Sequence, residues 1–139
     1  PVWRAAEPYM RARKNDVHIP LSFAWCVRLL EHFPQADRDV CLLAILLQDI
    51  GWWAIDMGDI IEQGFRSDNF LQSDVRYRHE AEGVKLAGPV LRQTGWSEDI
   101  IAQVCEIIDG HDTRPEPRHL NDRIVRDADK LWRYEVAGI

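Results

Sequence analysis

Residues 40–47 read VCLLAILL, an apolar run that stops abruptly on a polar pair, Gln48–Asp49, followed by Ile50, Gly51, Trp52 and Trp53. It is the most apolar of a series of segments in which apolar residues recur with the 3.6-residue period of a helix. No stretch shows sustained period-two alternation rich in β-branched residues, so the pattern predicts an all-α fold, a compact helical bundle. The 139 residues suit one domain, 1–139, with one core. The chain ends on VAGI directly after its last helical pattern, so further carboxyl-terminal structure is expected beyond it.

Local signals place the helices. The first is expected over residues 4–15, weakened at Pro8, and the second over 20–33, with Pro20 in its first turn and Pro34 stopping it. The third covers 37–50, with Asp37 as N-cap and Gly51 just past its end. A short helix is expected at 56–63, then a polar loop, GFRSDNFLQSD. A long helix follows over 75–93, bent or interrupted at Gly88–Pro89 and closed by Thr94–Gly95. Ser97 caps the next, which ends near Gly110; TRPEPRH is a loop, and a last helix spans 120–135.

Charge and composition narrow the function. A formal net charge of −6 argues against general nucleic-acid binding, since neutralising phosphates needs a basic surface. The basic cluster Arg11, Arg13 and Lys14 reads as a solvated helix face. No apolar run approaches the roughly 18 residues of a membrane span, and the amino end is mixed and charged, unlike a signal peptide. Cys26, Cys41 and Cys105 lie in apolar runs without CxxC spacing and read as reduced core residues of a cytoplasmic protein.

Three histidines have acidic neighbours: His18 after Asp16, His79 before Glu80, His111 before Asp112. Alone, each is an ordinary helix residue. In order along the chain stand His18, Gln48–Asp49 ending the most apolar helix, His79, His111, and then Asp127-Ala-Asp129-Lys130.

That ordered set resembles the HD-domain superfamily of metal-dependent phosphohydrolases, in its two-metal branch. The resemblance is carried by His18, by LLQDIG with Asp49, by RHEAEG with His79, by DGHD with His111, and by DADKL with Asp129, and it spans residues 17–131. It implies a helical core, one or two divalent transition ions, and the ligand set His18, residue 48, Asp49, His79, His111 and Asp129. In that arrangement Asp49 bridges the two metals and is the central catalytic group; His18, residue 48 and Asp129 complete the first site, and His79 and His111 the second. Imidazole and carboxylate together suit Fe, Mn, Zn, Co or Ni, whereas Ca or Mg prefers all-oxygen shells. A hydroxide bridging two such ions would attack phosphorus in line, hydrolysing a nucleotide or another small phosphoester.

The departure is Gln48, where the family pattern has the His of its His–Asp pair. An amide oxygen is a weaker donor than imidazole, so the first metal should be lost or loosely held and the activity impaired. An introduced inactivating change, a natural degenerate member and a natural variant with altered metal preference all fit. The other ligand positions are intact, which argues against full loss of metal binding.

Around this set, Arg78 and Lys130 adjoin proposed ligands and are candidates for substrate contact. Arg76, Lys85 and Arg114 read as surface cations. Trp52 and Trp53 suit core packing or a pocket wall that stacks on a base; many family members carry a Lys a few residues after the pair, a phosphate contact that Trp removes here. Glu80 and Asp112 are candidates for orienting the histidines, and Asp127 for a supporting or capping role beside Asp129. His32 and His119 fit no ligand slot. The resemblance leaves two further classes open: a mixed-valence di-iron oxygenase of the same fold, and a degenerate ligand-binding or regulatory module. The partner expected is a small-molecule phosphoester or nucleotide, with no membrane, and homodimer formation stays open.

Overall fold

The computed structural model describes residues 2–9, 15–54 and 69–137. Its elements are α1 (Val2–Ala6), a 3₁₀ turn (Glu7–Tyr9), α2 (Asn15–His32), α3 (Arg38–Leu47), a second 3₁₀ turn (Ile50–Ala54), α4 (Asn69–Gln93), α5 (Glu98–Ile108) and α6 (Leu120–Ala137). The fold is all-α, with no strand among the described residues. No described helix is long and apolar enough to cross a membrane. The helix expected at 56–63, the cluster Arg11, Arg13 and Lys14, and the Trp53 side chain lie outside the described residues.

α3 is the central element. Val40, Cys41, Leu43, Ala44, Ile45 and Leu47 are all buried, which is why its sequence is apolar on nearly every side. It packs against α2, α5 and α6; α2 also packs on α6, and α4 packs on α5 and on the second 3₁₀ turn. Asp37 caps α3 by accepting from Val40 N at 3.2 Å, and Ser97 caps α5 by accepting from Ile100 N at 3.3 Å. Burial pushes the thiols of Cys26 and Cys41 up to about 12, so both stay protonated and behave as small apolar groups.

Several boundaries differ from the sequence expectation. α1 stops at Ala6 and passes into a 3₁₀ turn that contains Pro8. α2 starts at Asn15, so Pro20 sits inside it. There it forgoes one amide bond to the carbonyl four residues back, a loss confined to the first turns. α3 ends at Leu47 with Gln48 as C-cap, and residues 50–54 tighten into 3₁₀ instead of prolonging the α-helix. α4 begins at Asn69, so the carboxyl-terminal half of the polar stretch is helical, and it runs through Gly88–Pro89 to Gln93. A proline ring clashes with the Cβ of the residue before it in helical conformation; Gly88 has none, so the helix passes. Gly95, at φ +89°, closes α4 with Trp96 N donating to Leu91 O at 3.1 Å and Gly95 N to Arg92 O at 3.2 Å. That pair of bonds is a Schellman stop.

One close approach shapes the centre of the molecule. A Cβ on Gly51 would lie 1.8 Å from the His79 carbonyl oxygen and 2.5 Å from Gly83 N, so the turn after α3 lies backbone to backbone against α4. Gly83 faces it, 3.6 Å from Gly51 N at its own Cβ position. Two glycines, four residues after His79 and two after Asp49, thereby let those side chains meet.

Candidate metal centre

The site collects its groups from five elements or the turns that end them. His18 comes from α2, Gln48 and Asp49 from the carboxyl end of α3, His79 from α4, His111 from the turn after α5, and Asp129 from α6. The negative end of the α3 dipole points into this cluster, which favours a cation there.

Asp49 divides its two oxygens between two groups of residues. Oδ1 lies 3.1 Å from His111 Nε2 and 3.5 Å from His79 Nε2, while Oδ2 lies 3.4 Å from His18 Nδ1. The two histidine Nε2 atoms on the Oδ1 side are 3.3 Å apart. Three donors separated by 3.1 to 3.5 Å match one face of a tetrahedron with bonds of about 2.0–2.1 Å, whose edges are about 3.3 Å. Asp49, His79 and His111 therefore fit a divalent transition ion. The His111 Nδ1 donates to the Ile108 carbonyl at 2.7 Å, which fixes the ring with Nε2 facing the site, so the proton an ion would displace is the one on Nε2. His79 is fully buried and its ring is held flat against Trp52, with centroids 4.2 Å apart and planes at 11°. Among the described residues its Nδ1 has no hydrogen-bond partner, so stacking takes over the orienting work.

The second group, His18, Asp49 and Asp129, also has ligand atoms close enough to hold an ion. Its present contacts are hydrogen bonds. Gln48 Nε2 donates to Asp129 Oδ1 at 2.8 Å, and His18 Nε2 lies 2.7 Å from the same oxygen. These contacts are shorter than the ligand spacing on the His79 side, and the amide presents a donor where a metal needs a lone pair.

Electrostatics tie the cluster together. Burial by itself would raise the Asp49 carboxyl, but hydrogen bonds from His111 and His79 and the fields of His111 and His18 outweigh it, holding the group far below the usual range. Burial likewise opposes charging of His111; the Asp49 hydrogen bond and charge and the Ile108 carbonyl win, raising it to about 9.

The supporting residues act through the backbone as much as through rings. Glu80 is buried, and its Oε2 accepts from Asp112 N at 2.7 Å and Thr113 N at 2.9 Å; Oε1 accepts from Thr113 Oγ1 at 2.7 Å. It thus clamps the turn that carries His111. Asp112 Oδ2 approaches the ligating nitrogen of His79, at 3.9 Å, and Asp112 pairs with Arg76. Asp127 is exposed on α6. His32 is exposed, and His119 accepts from Asp122 N at 3.3 Å near the start of α6, away from the cluster. Lys85 pairs with Glu82 on the surface.

Beside the centre lies a cavity of about 280 Å³ whose walls include Arg76, Arg114, Arg126 and Lys130. Arg78, half-buried on α4, is not part of that lining. Arg126 was not evident from sequence, where it is one more charged residue on a charged helix. Its signal is spacing: it stands three residues before Asp129 and four before Lys130, on one helix face.

An all-α frame here gathers histidines and aspartates from successive helices around one buried carboxylate, a helical scaffold suited to holding a metal ion. A model of the HD domain family matches residues 18–134, and the chain belongs to that family. The family binds divalent metals, and Asp49, His79 and His111 form the candidate site for one here. Comparison with curated proteins and with solved structures gave no match.

Proposed function

We propose that the protein is a phosphoester hydrolase whose reaction takes place at the Asp49–His79–His111 centre, impaired in this form by Gln48. The observation that carries the reading is the division of the Asp49 carboxylate between two ligand groups, with a cavity alongside that four cationic side chains line together with Asp112 and Asp129. A bound divalent ion would supply acidification of a water and withdrawal of charge from a phosphoryl oxygen. The chain's own residues do the rest. His79 and His111 aim their Nε2 atoms at the centre, Asp49 spans the two groups, and the cavity cations attract the anionic ester. In the net reaction water adds to phosphorus, the P–O ester bond breaks, and the departing alcohol takes the proton.

The test uses Gln48→His protein loaded separately with Mn, Fe, Co, Ni and Zn, offered a panel of nucleotides and small phosphoesters. Metal-dependent phosphate release supports the reading. No release at full metal occupancy would sink it, and the manner of failure is informative: oxygen uptake coupled to substrate cleavage by the iron form alone indicates an oxygenase, and tight binding without turnover indicates a ligand-binding module.

A further inference from the structure

The cavity beside the metal centre has a chemistry of its own. Arg114 lines it but is spent on structure: its Nη1 donates to Asp122 at 2.9 Å, and its Nη2 donates to the Glu106 and Asp109 carbonyls at the end of α5. Arg76 is engaged with Asp112 through both the carbonyl and the carboxylate of that residue. Arg126 differs. Of the five N–H groups of a guanidinium, the one hydrogen bond it makes among the described residues goes to the Gly110 carbonyl, at a long 3.3 Å. Its Nε is buried without a hydrogen-bond partner, and the nearest carboxylate oxygen, Asp122 Oδ1, stands 3.6 Å away.

Arg126 is nevertheless fixed in place. Its side chain is 12% exposed and that of Asp122 is fully buried, with Asp122 also accepting from Arg114 and from Arg118 N at 2.9 Å. A guanidinium aimed by a buried carboxylate, with donors to spare, is a preorganised receptor for an oxyanion. Lys130 stands one helical turn further along the same face of α6, exposed on the cavity rim. Between them is Asp129, which belongs to the metal-ligand cluster. The distance from that cluster to Arg126 is therefore about one turn of helix, roughly 5 Å.

Resting on the phosphoester reading above, we propose that the substrate is a small phosphoester carrying a second, unreactive anionic group, such as a carboxylate. The phosphoryl group lies at the His111 end of the cavity, next to the metal centre, and the second anion lies on Arg126 and Lys130. Size favours this class over a nucleotide: about 280 Å³ is at the lower edge of the range of roughly 300–1,000 Å³ typical of small-molecule sites. Among the described residues the lining has no Trp, Tyr or Phe face for a base, and one face of Trp52 is already covered by His79.

The test compares two unreactive ligands of equal chain length, 3-phosphonopropionate and propylphosphonate, titrated calorimetrically into Mn-loaded protein. A charge-assisted bond from a pinned guanidinium predicts that the carboxylated ligand binds about 10- to 100-fold tighter. That preference should fall to within a few-fold in Arg126→Ala, fall partly in the surface variant Lys130→Ala, and be retained in part by Arg126→Lys. Equal affinities for the two ligands, no binding of either, or a preference unchanged in both alanine variants overturns the proposal. A preserved preference together with no phosphate release from any ester overturns the hydrolase reading alone.

Discussion

Gln48 Nε2 donates to Asp129 Oδ1 at 2.8 Å, and the oxygen it occupies is the one that His18 Nε2 approaches at 2.7 Å. One amide donor is thus spent on a carboxylate oxygen of the candidate His18–Asp49–Asp129 group. On the His79–His111 side of Asp49 two imidazole nitrogens meet one carboxylate oxygen, whereas an amide donor enters the other side, so the two halves of the centre should differ in affinity. Metal analysis is expected to give about one equivalent for the Gln48 protein and about two for Gln48→His, since imidazole restores a lone pair where the amide supplies a proton. An unchanged count would refute the two-site arrangement.

Protons and metal should compete for His111. Its folded-state pKa is raised from 6.5 to about 9 by Asp49, so without metal the stability it contributes is complete below about 6.5 and lost as pH rises through about 9. Asp49 works in the opposite direction: its folded value is lowered, so its contribution is present above the ordinary 3.8 and lost as pH falls below it. Thermal melts of metal-free protein should therefore be highest between about pH 4 and 6.5 and decline toward 9. Metal affinity should rise with pH over the upper range, by up to about tenfold per unit, because the ion must displace the His111 proton. Calorimetry in buffers of different ionisation enthalpy should detect the released proton.

The hydrogen bonds of Glu80 among the described residues go to Asp112 and Thr113 and to no imidazole, yet they hold the turn that carries His111. Removing its carboxylate in Glu80→Ala leaves Asp112 N, Thr113 N and Thr113 Oγ1 without their acceptor. The expected cost is about 1–3 kcal/mol of stability. A misplaced His111 should also lower metal affinity, by about 10- to 100-fold. Glu80→Gln, which keeps an acceptor, should recover part of both; loss of stability with unchanged metal affinity would show that the clamp does not position His111.

Gly51 and Gly95 should respond differently to the same substitution. Gly51→Ala places a Cβ 1.8 Å from the His79 carbonyl oxygen, which only a backbone shift can relieve, and is expected to cost about 3 kcal/mol or more along with metal binding. At Gly95 nothing lies within 4 Å and only the positive φ of +89° opposes a side chain. Gly95→Ala should cost about 1–2 kcal/mol and leave metal affinity intact. Urea denaturation and metal titration of both variants check the contrast.

The helical class was legible because the apolar period repeats along the chain, and the caps at Asp37 and Ser97 were legible because each relies on a local bond within four residues. The grouping of His18, Asp49, His79, His111 and Asp129 could be expected from their order. What escaped the sequence depends on partners distant in the chain. The tightening of residues 50–54 into 3₁₀ goes with the approach of α4 to Gly51, and the helical run through Gly88–Pro89 depends on a missing Cβ whose effect is invisible to periodicity. Arg126 gained meaning only when Asp122 and Gly110 were seen to hold it at the cavity wall.

The parallel stack of Trp52 on His79 makes the molecule carry its own optical probe. An indole 4.2 Å from an imidazole whose far nitrogen faces the centre lies within quenching range of an ion there. Cobalt or nickel, with partly filled d shells, should dim the emission of this tryptophan, and zinc should leave it bright. The difference should shrink in Trp52→Phe, so occupancy of the buried half of the centre can be followed by fluorescence without any added label.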